Sequence, residues 1–279
     1  MKQKRLGYLG PRGTFSEEAA LLYNQAHGME LLEHPTIAAV ITAVLNGSLD
    51  EGLVPLENTL EGGIAATLDY LARQEGIYIC HELIYPVRQC LVAQQGQTFN
   101  KIRQLYSHPH ALGQCADYIA ANLPGVECLP VESTAAAARY VQDRPGAAAI
   151  ASRRAAQLFN LRLLAEGVED SEGNATRFVT LALQDHLPTG KDKTSLVLTI
   201  PDGPGSLYNV LGHFARRNIN LTRIESRPSR RMIGDWLFFI DCEGHRTDPG
   251  RTELWEQVQQ IVPFFKLLGS YPINSGSSE

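Results

Sequence analysis

The sequence contains no stretch of 18 or more uncharged apolar residues, the length a membrane-spanning helix needs. Its basic opening, MKQKRLGYLG, runs straight into a strand-like segment, without the apolar core and small-residue cleavage site of a signal peptide. A cytoplasmic protein with no membrane contact is therefore expected. The five cysteines (Cys80, Cys90, Cys115, Cys128 and Cys242) are odd in number and lack CxxC spacing, which speaks against a disulfide framework or zinc cluster. His108 and His110 offer two nitrogen ligands with no third spaced to join them, so no metal is expected. A basic excess is absent too: the net charge is -5 and no basic stripe appears, which argues against nucleic acid. An anionic ligand would then have to be held by local features rather than by the overall field. GPRGTFS supplies Gly10 and Gly13 ahead of a helix start, a possible anion nest, but has neither the GK[ST] ending of a Walker loop nor a GxGxxG pattern.

What is present is alternation. Over the first 185 residues short apolar strands (RLGYLG, EGLVPLEN, IRQLYS, VECLPV, GAAAIA, TRFVTLAL) take turns with helical runs (TFSEEAALLYNQAHG, TIAAVITAVLNGS, GIAATLDYLARQ, HPHALGQCADYIAANL, STAAAARYVQD, SRRAAQLFNL). This is the pattern of α/β proteins with parallel sheets and helices on both faces. Strands repeatedly lead into a hydroxyl residue that opens a helix: Thr14, Thr59, Ser107, Ser133 with Thr134, and Ser152. Each is either an ordinary N-cap or part of a set of helix ends gathered at a ligand site. The polar segment QDHLPTGKDKT (184–194) reads as a domain boundary. Beyond it the order is βαββαβ, a ferredoxin-like unit over 194–273, followed by a tail, NSGSSE, with a disordered composition.

The successive stretches GPRGTFSEEAA, VPLENTLEGGI, SHPHALGQC, ESTAAAA and NATRF resemble the signatures of prephenate dehydratase, and PGSLYNVL with NINLTRIESRP is similar to its C-terminal ACT regulatory domain. The resemblance runs in order along nearly the whole chain. It implies a two-lobed, periplasmic-binding-protein-like catalytic region over 1–185 (roughly 1–80 with 165–185, and 81–164), with its site between the lobes, plus the ACT domain. It implies conversion of prephenate to phenylpyruvate in phenylalanine biosynthesis without a cofactor, feedback inhibition by L-phenylalanine, and a homodimer or homotetramer. No chorismate mutase segment precedes the first strand, so the bifunctional form is not expected. Arogenate dehydratase and a non-catalytic amino-acid sensor are the alternatives.

Prephenate carries two carboxylates and a ring hydroxyl that must leave, so the site needs donors aimed at that oxygen and at the dianion. The resemblance carries the catalytic role to Thr176, whose hydroxyl is a hydrogen-bond donor but a very weak acid; Glu57 or a bound water is then the proton source. Arg177 suits bidentate grip of a carboxylate, or else pairs with an acidic residue as a strand-end cation. Asn58, Thr59 and Thr14 are expected substrate contacts, and Phe178 either packs or touches substrate. Ser107 and Gln114, seven apart, share a face if one helix spans both, and are expected substrate contacts, or else a helix cap and a surface glutamine. In the ACT segment Gly205, Ser206 and Leu207 open a helix able to receive an amino-acid carboxylate, Asn220 and Leu221 begin a strand expected to face a partner subunit, and Glu225 and Ser226 lie in the ESRP stretch expected to link phenylalanine binding to a conformational response.

Overall fold

The computed structural model describes residues 3–229 and 236–273; the predicted disordered tail lies outside the described residues. The chain divides into two compact units, one of Met1–Ala39, Glu57–Gly62 and Tyr85–Thr176, the other of Val40–Leu56, Gly63–Ile84 and Arg177–Glu279. No helix among the described residues is long and apolar enough to cross a membrane.

In the first unit Arg5–Leu9 and Glu30–His34 pair in parallel, and Phe15–Asn24 forms a helix whose N-cap, Thr14, accepts a hydrogen bond from the Glu17 N–H. A five-stranded sheet follows, in the order Arg162–Glu166, Cys90–Ala93, Ala147–Ala151, Gln104–Ser107, Glu127–Pro130. The strand Ala147–Ala151 is wholly buried, and four of its five side chains are alanine. These small residues admit close approach of the helix Thr134–Val141, which buries Ala137 and Ala138 against Val92, Ala149 and Ala151. Leu91, Leu105, Ala111, Cys115 and Ile150 fill a second core cluster.

Three sequence expectations change here. The sheet is mixed rather than parallel, because Cys90–Ala93 runs antiparallel to both Ala147–Ala151 and Arg162–Glu166. Strand Arg162–Glu166 was not expected at all; it is short and only half-buried. The single helix expected over HPHALGQCADYIAANL is two, Pro109–Gln114 and Ala116–Asn122, broken at Cys115 (φ -122°, ψ 20°). The cause is Asp170, whose two carboxylate oxygens accept the Asp117 and Tyr118 N–H groups and start a fresh helix.

The second unit holds most of three neighbouring strands, Glu51–Asn58, Ala175–Ala182 and Tyr78–Pro86, with helices Ile37–Leu45 and Ala65–Arg73. It also holds a four-stranded antiparallel sheet, ordered Leu221–Pro228, Trp236–Glu243, Asp192–Thr199, Phe264–Pro272, with helices Ser206–Ala215 and Arg251–Ile261. This is a βαββαβ unit with ferredoxin-like strand order. Leu196, Leu198, Phe214, Ile240, Leu254 and Trp255 make its core. Within the second unit this sheet packs against the strand Tyr78–Pro86. Gly269 (φ +147°) lies so close to Ile79 that any Cβ there would overlap the Ile79 backbone. The polar segment 184–194 is tied down: Asp185 accepts the Ser270 N–H at 2.9 Å and pairs with Arg246 at 2.8 Å.

Candidate active site

Thr176 stands near the start of Ala175–Ala182, beside the end of Glu51–Asn58; the two chains are joined there by Thr59 N–H donating to the Ala175 carbonyl at 3.0 Å. The Asn58 amide lies between them. Its Oδ1 accepts the Leu60 and Glu61 N–H groups at 2.9 and 3.2 Å, which fixes the orientation of the amide. Its Nδ2 therefore faces the other way and donates to Asn174 Oδ1 (2.9 Å), the Ala175 carbonyl (3.2 Å) and Thr176 Oγ1 (3.1 Å). Thr176 is thus an acceptor toward Asn58. Its own proton is left to donate elsewhere, and donation into its oxygen strengthens it as a donor.

The polar chain continues through groups joined end to end. Asn174 Nδ2 donates to Gln114 Oε1 at 3.4 Å, and Gln114 Nε2 donates to Glu61 Oε1 at 3.3 Å. The His110 Nδ1 meets the same Glu61 oxygen at 2.7 Å. His110 and Gln114 are four apart on the helix Pro109–Gln114, so both reach Glu61 from one face. His108 caps that helix, and burial, with His110 nearby, lowers its pKa. Asn174, which is buried, and Glu61 and His110, which are exposed, were given no role from the sequence. The available signals were the position of Glu61 three residues after Asn58 and the i, i+4 spacing of His110 and Gln114.

Arg177 is not with them. Successive side chains of a strand point to opposite faces, and Arg177 turns into the second unit. There its guanidinium meets Glu82 Oε2 (2.9 Å), Asp241 Oδ2 (2.6 Å) and the Tyr271 hydroxyl (2.7 Å). Lys193 Nζ adds a second cation on Glu82 at 2.9 Å, and Ser195 donates to Asp241 at 2.5 Å. Burial works against the Arg177 charge, but Tyr271, Asp241 and Glu82 more than offset it and raise its pKa. Burial likewise works against the Asp241 carboxylate, and Arg177 and Arg223 outweigh it, lowering the pKa. The guanidinium is therefore the strand-end cation paired to acidic residues, and its expected grip on a substrate carboxylate is corrected.

Other expected contacts are also engaged structurally. Ser107 is fully buried in a strand rather than on a helix, and donates to the Ile150 carbonyl at 2.7 Å, so it shares no helical face with Gln114. Phe178 is 2% exposed and packs in the core. Thr14 caps its helix and donates to the Pro11 carbonyl at 2.9 Å. Thr59 caps no helix; its hydroxyl donates to the Gly173 carbonyl (3.3 Å) and accepts the Ala175 N–H (3.1 Å), clamping the loop before Thr176. Strand alternation sends the half-buried Glu57 to the face opposite Asn58. The nest expected at GPRGTFS already holds anions: Gly13 N–H donates to Glu17 at 2.6 Å and Arg12 N–H to Glu33 at 3.1 Å. Arg154 pairs with the same Glu17 at 3.3 Å. Elsewhere, ligand atoms of Glu51, Cys80 and His81 lie within 4.8 Å of one another. Burial pushes the Cys80 thiol well up, and it donates to the Thr180 carbonyl at 3.3 Å.

In the βαββαβ unit Gly205, at φ +81°, is the N-cap of Ser206–Ala215, with Ser206 and Leu207 its first residues. Asn220 donates to Glu243 at 2.9 Å just before the strand that Leu221 begins. Glu225 pairs with Arg223 and, at 3.7 Å, with Arg227, while Ser226 is exposed. Arg227 also donates to the Gly63 carbonyl at 3.5 Å, and a Cβ on Gly63 would overlap the Glu225 carboxylate.

Residues 6–186 match the sequence pattern of the prephenate dehydratase family. The prephenate dehydratase of Mycobacterium bovis is 38% identical over 279 aligned residues, covering 96% of this chain and 87% of that protein. The crystal structure of prephenate dehydratase from Arthrobacter aurescens in complex with L-Phe superposes with a TM-score of 0.88 at 36% identity, over 96% of this chain and 90% of that one. GqqA, described as a quorum quenching acylase, superposes with a TM-score of 0.85 at 29% identity, over 98% and 99%.

Proposed function

We propose that this chain, which belongs to the prephenate dehydratase family, converts prephenate to phenylpyruvate with loss of water and carbon dioxide, and that it is inhibited by L-phenylalanine. Expulsion of the ring hydroxyl draws the electron pair of the carbon–carboxylate bond into the ring, carbon dioxide departs, the leaving oxygen takes up one proton from solvent to become water, and aromatisation drives the step. The protein's task is to hold the dianion in the reactive pose and stabilise the departing oxygen.

The observation that carries this reading is the direction of the Thr176 hydroxyl: the Asn58 amide donates into it at 3.1 Å, leaving its proton for an acceptor such as the leaving oxygen. An amide N–H does not act as a base, so the same contact sets Thr176 up as a donor and not as a nucleophile. The second amide hydrogen of Gln114 is a further donor suited to an anion. Arg177 has no part in this; it holds the second unit together.

The test is prephenate conversion by wild type, Thr176→Ser and Thr176→Ala, with folding checked. Loss of a donor aimed at the transition state costs about 10²–10³ in kcat. Thr176→Ala should therefore lose at least about a hundredfold while KM moves much less, and Thr176→Ser should keep most of the rate. A near-normal rate for Thr176→Ala removes the hydroxyl from the mechanism. Relative turnover of arogenate in the same assay assigns the substrate.

Under the same proposal residues 194–273 are an ACT domain. L-Phenylalanine is received at Gly205–Leu207, where a helix N-terminus presents backbone N–H groups, with Asn220, Leu221, Glu225 and Ser226 beside it in the assembled oligomer. Two features support this: the relative crystallised with L-Phe, and the strand Leu221–Pro228 at the edge of its sheet with Ile224 exposed. An edge strand of that kind is suited to pairing with a second copy. Saturating L-phenylalanine should lower the rate and raise the melting temperature; no change in either refutes the regulatory reading.

A further inference from the structure

We propose that Glu61 is a positioning residue for the dehydration, acting through Gln114; this rests on the functional reading above. A chain of amides joined by hydrogen bonds has a direction. A primary amide has a donor end and an acceptor end, and either can face a neighbour unless something decides. At one end of the chain the decision is made by backbone. Asn58 Oδ1 is taken by two N–H groups, so Nδ2 must face Asn174 and Thr176. Asn174 then offers its own Nδ2 to Gln114 Oε1.

At the other end the decision is made by Glu61. An ionised carboxylate only accepts, and it accepts Gln114 Nε2 at 3.3 Å. Both ends therefore demand the same orientation of Gln114: carbonyl toward Asn174, amino group toward Glu61. One hydrogen of that amino group is held by Glu61. The other remains available to substrate at a set angle. The Glu61 side chain is 39% exposed, and its anchor is the His110 Nδ1 at 2.7 Å on the same oxygen. Without Glu61 the amino group of Gln114 loses its partner and the amide is held only by the 3.4 Å bond that its oxygen accepts from Asn174, so its remaining hydrogen is less well preorganised.

What the site needs from position 61 is thus an acceptor oxygen within reach of Gln114, rather than negative charge for its own sake. A Gln there retains an oxygen but also presents a donor end, so it holds Gln114 less decisively. An Ala retains nothing. A half-exposed side chain of this kind carries little of the folding stability, so a merely structural role and a positioning role differ in what they move.

The experiment is a double-mutant cycle on prephenate turnover with Glu61→Ala, Gln114→Ala and the pair, together with Glu61→Gln, and with melting temperatures measured throughout. Glu61→Ala should lower kcat about tenfold, because the Gln114 donor is loosened rather than removed, with KM changed less than about threefold and melting within about 2 °C of wild type. Glu61→Gln should fall between wild type and Glu61→Ala. In the Gln114→Ala background, Glu61→Ala should cost no further activity. Multiplicative losses in the pair, or a full-activity Glu61→Ala protein, overturn the proposal while leaving the functional reading intact. A wild type that does not consume prephenate refutes the functional reading and this proposal with it.

Discussion

Replacing Arg177 by Met separates the two roles that a buried arginine beside a catalytic threonine can have. The guanidinium is 7% exposed and faces Glu82 and Asp241, which are equally or more deeply buried. With Lys193 the group has two carboxylates and two cations and is neutral. Arg177→Met takes away the cation that both carboxylates share: Glu82 keeps Lys193, and Asp241 keeps only the field of Arg223, which is already paired with Glu225. Breaking a buried pair in this way costs about 3–5 kcal/mol, a fifth or more of the ~5–15 kcal/mol that holds most proteins folded. At roughly 2–4 °C per kcal/mol for units of this size, the melting temperature should fall by about 6–20 °C. Asp241→Asn removes the opposing charge, so the double variant should be less destabilised than the sum of the two single changes. Thermal melting followed by circular dichroism reads this directly, and prephenate kinetics on the surviving folded protein at low temperature should show KM little changed. The opposite pattern, an unaltered melting temperature with KM raised tenfold or more, would mean that Arg177 grips the substrate and that the pairing with Glu82 and Asp241 is not its role.

Ser107→Ala should cost about 1 kcal/mol of stability, because the buried Ile150 carbonyl loses its 2.7 Å donor, with kcat/KM unchanged; a rise in KM without a change in melting would restore Ser107 to the substrate site. Gly63→Ala should blunt inhibition by L-phenylalanine at least about threefold, since the new Cβ meets a Glu225 carboxylate already held by Arg223 and Arg227 and the contact must rearrange. Inhibition curves identical to wild type would show that this contact carries no coupling. Acid should destabilise the second unit with a definite sign. The folded pKa of Asp241 lies below the ordinary 3.8, so its contribution is complete above about pH 4 and is lost as pH falls through the lower folded value. Melting temperature measured from pH 7 to pH 2.5 should drop below about pH 4, and Asp241→Asn should flatten that drop; an unchanged slope in the variant would exclude Asp241 as a source of acid sensitivity.

Rules that act over a few residues were legible in the chain. The caps at Thr14, Ser133 and Ser152 each bond an N–H three residues on, and the hydroxyl-before-helix pattern reveals them without any fold. The βαββαβ order after residue 190 follows from hydrophobic periodicity and turn residues in the same way. The loop that fixes Asn58 is local too, since its oxygen accepts N–H groups two and three residues away. Even the parting of Thr176 from Arg177 is implicit in the two-residue period of a strand.

Tertiary structure decided which partner each polar group meets. Asn58 and Thr176 are 118 residues apart, Glu61 and His110 49, Arg177 and Asp241 64, and Arg177 and Tyr271 94. Asp170 breaks a helix 53 residues earlier in the chain by capping its second half. Periodicity says which face a side chain takes, but not what stands opposite that face; sheet pairing and packing of distant segments settle that. Hence Arg177 reads from sequence as a ligand for an anion and folds as the counter-ion of one. Glu61, a bare turn residue on paper, becomes the acceptor that holds Gln114, because the fold determines which partner is within reach of that amide.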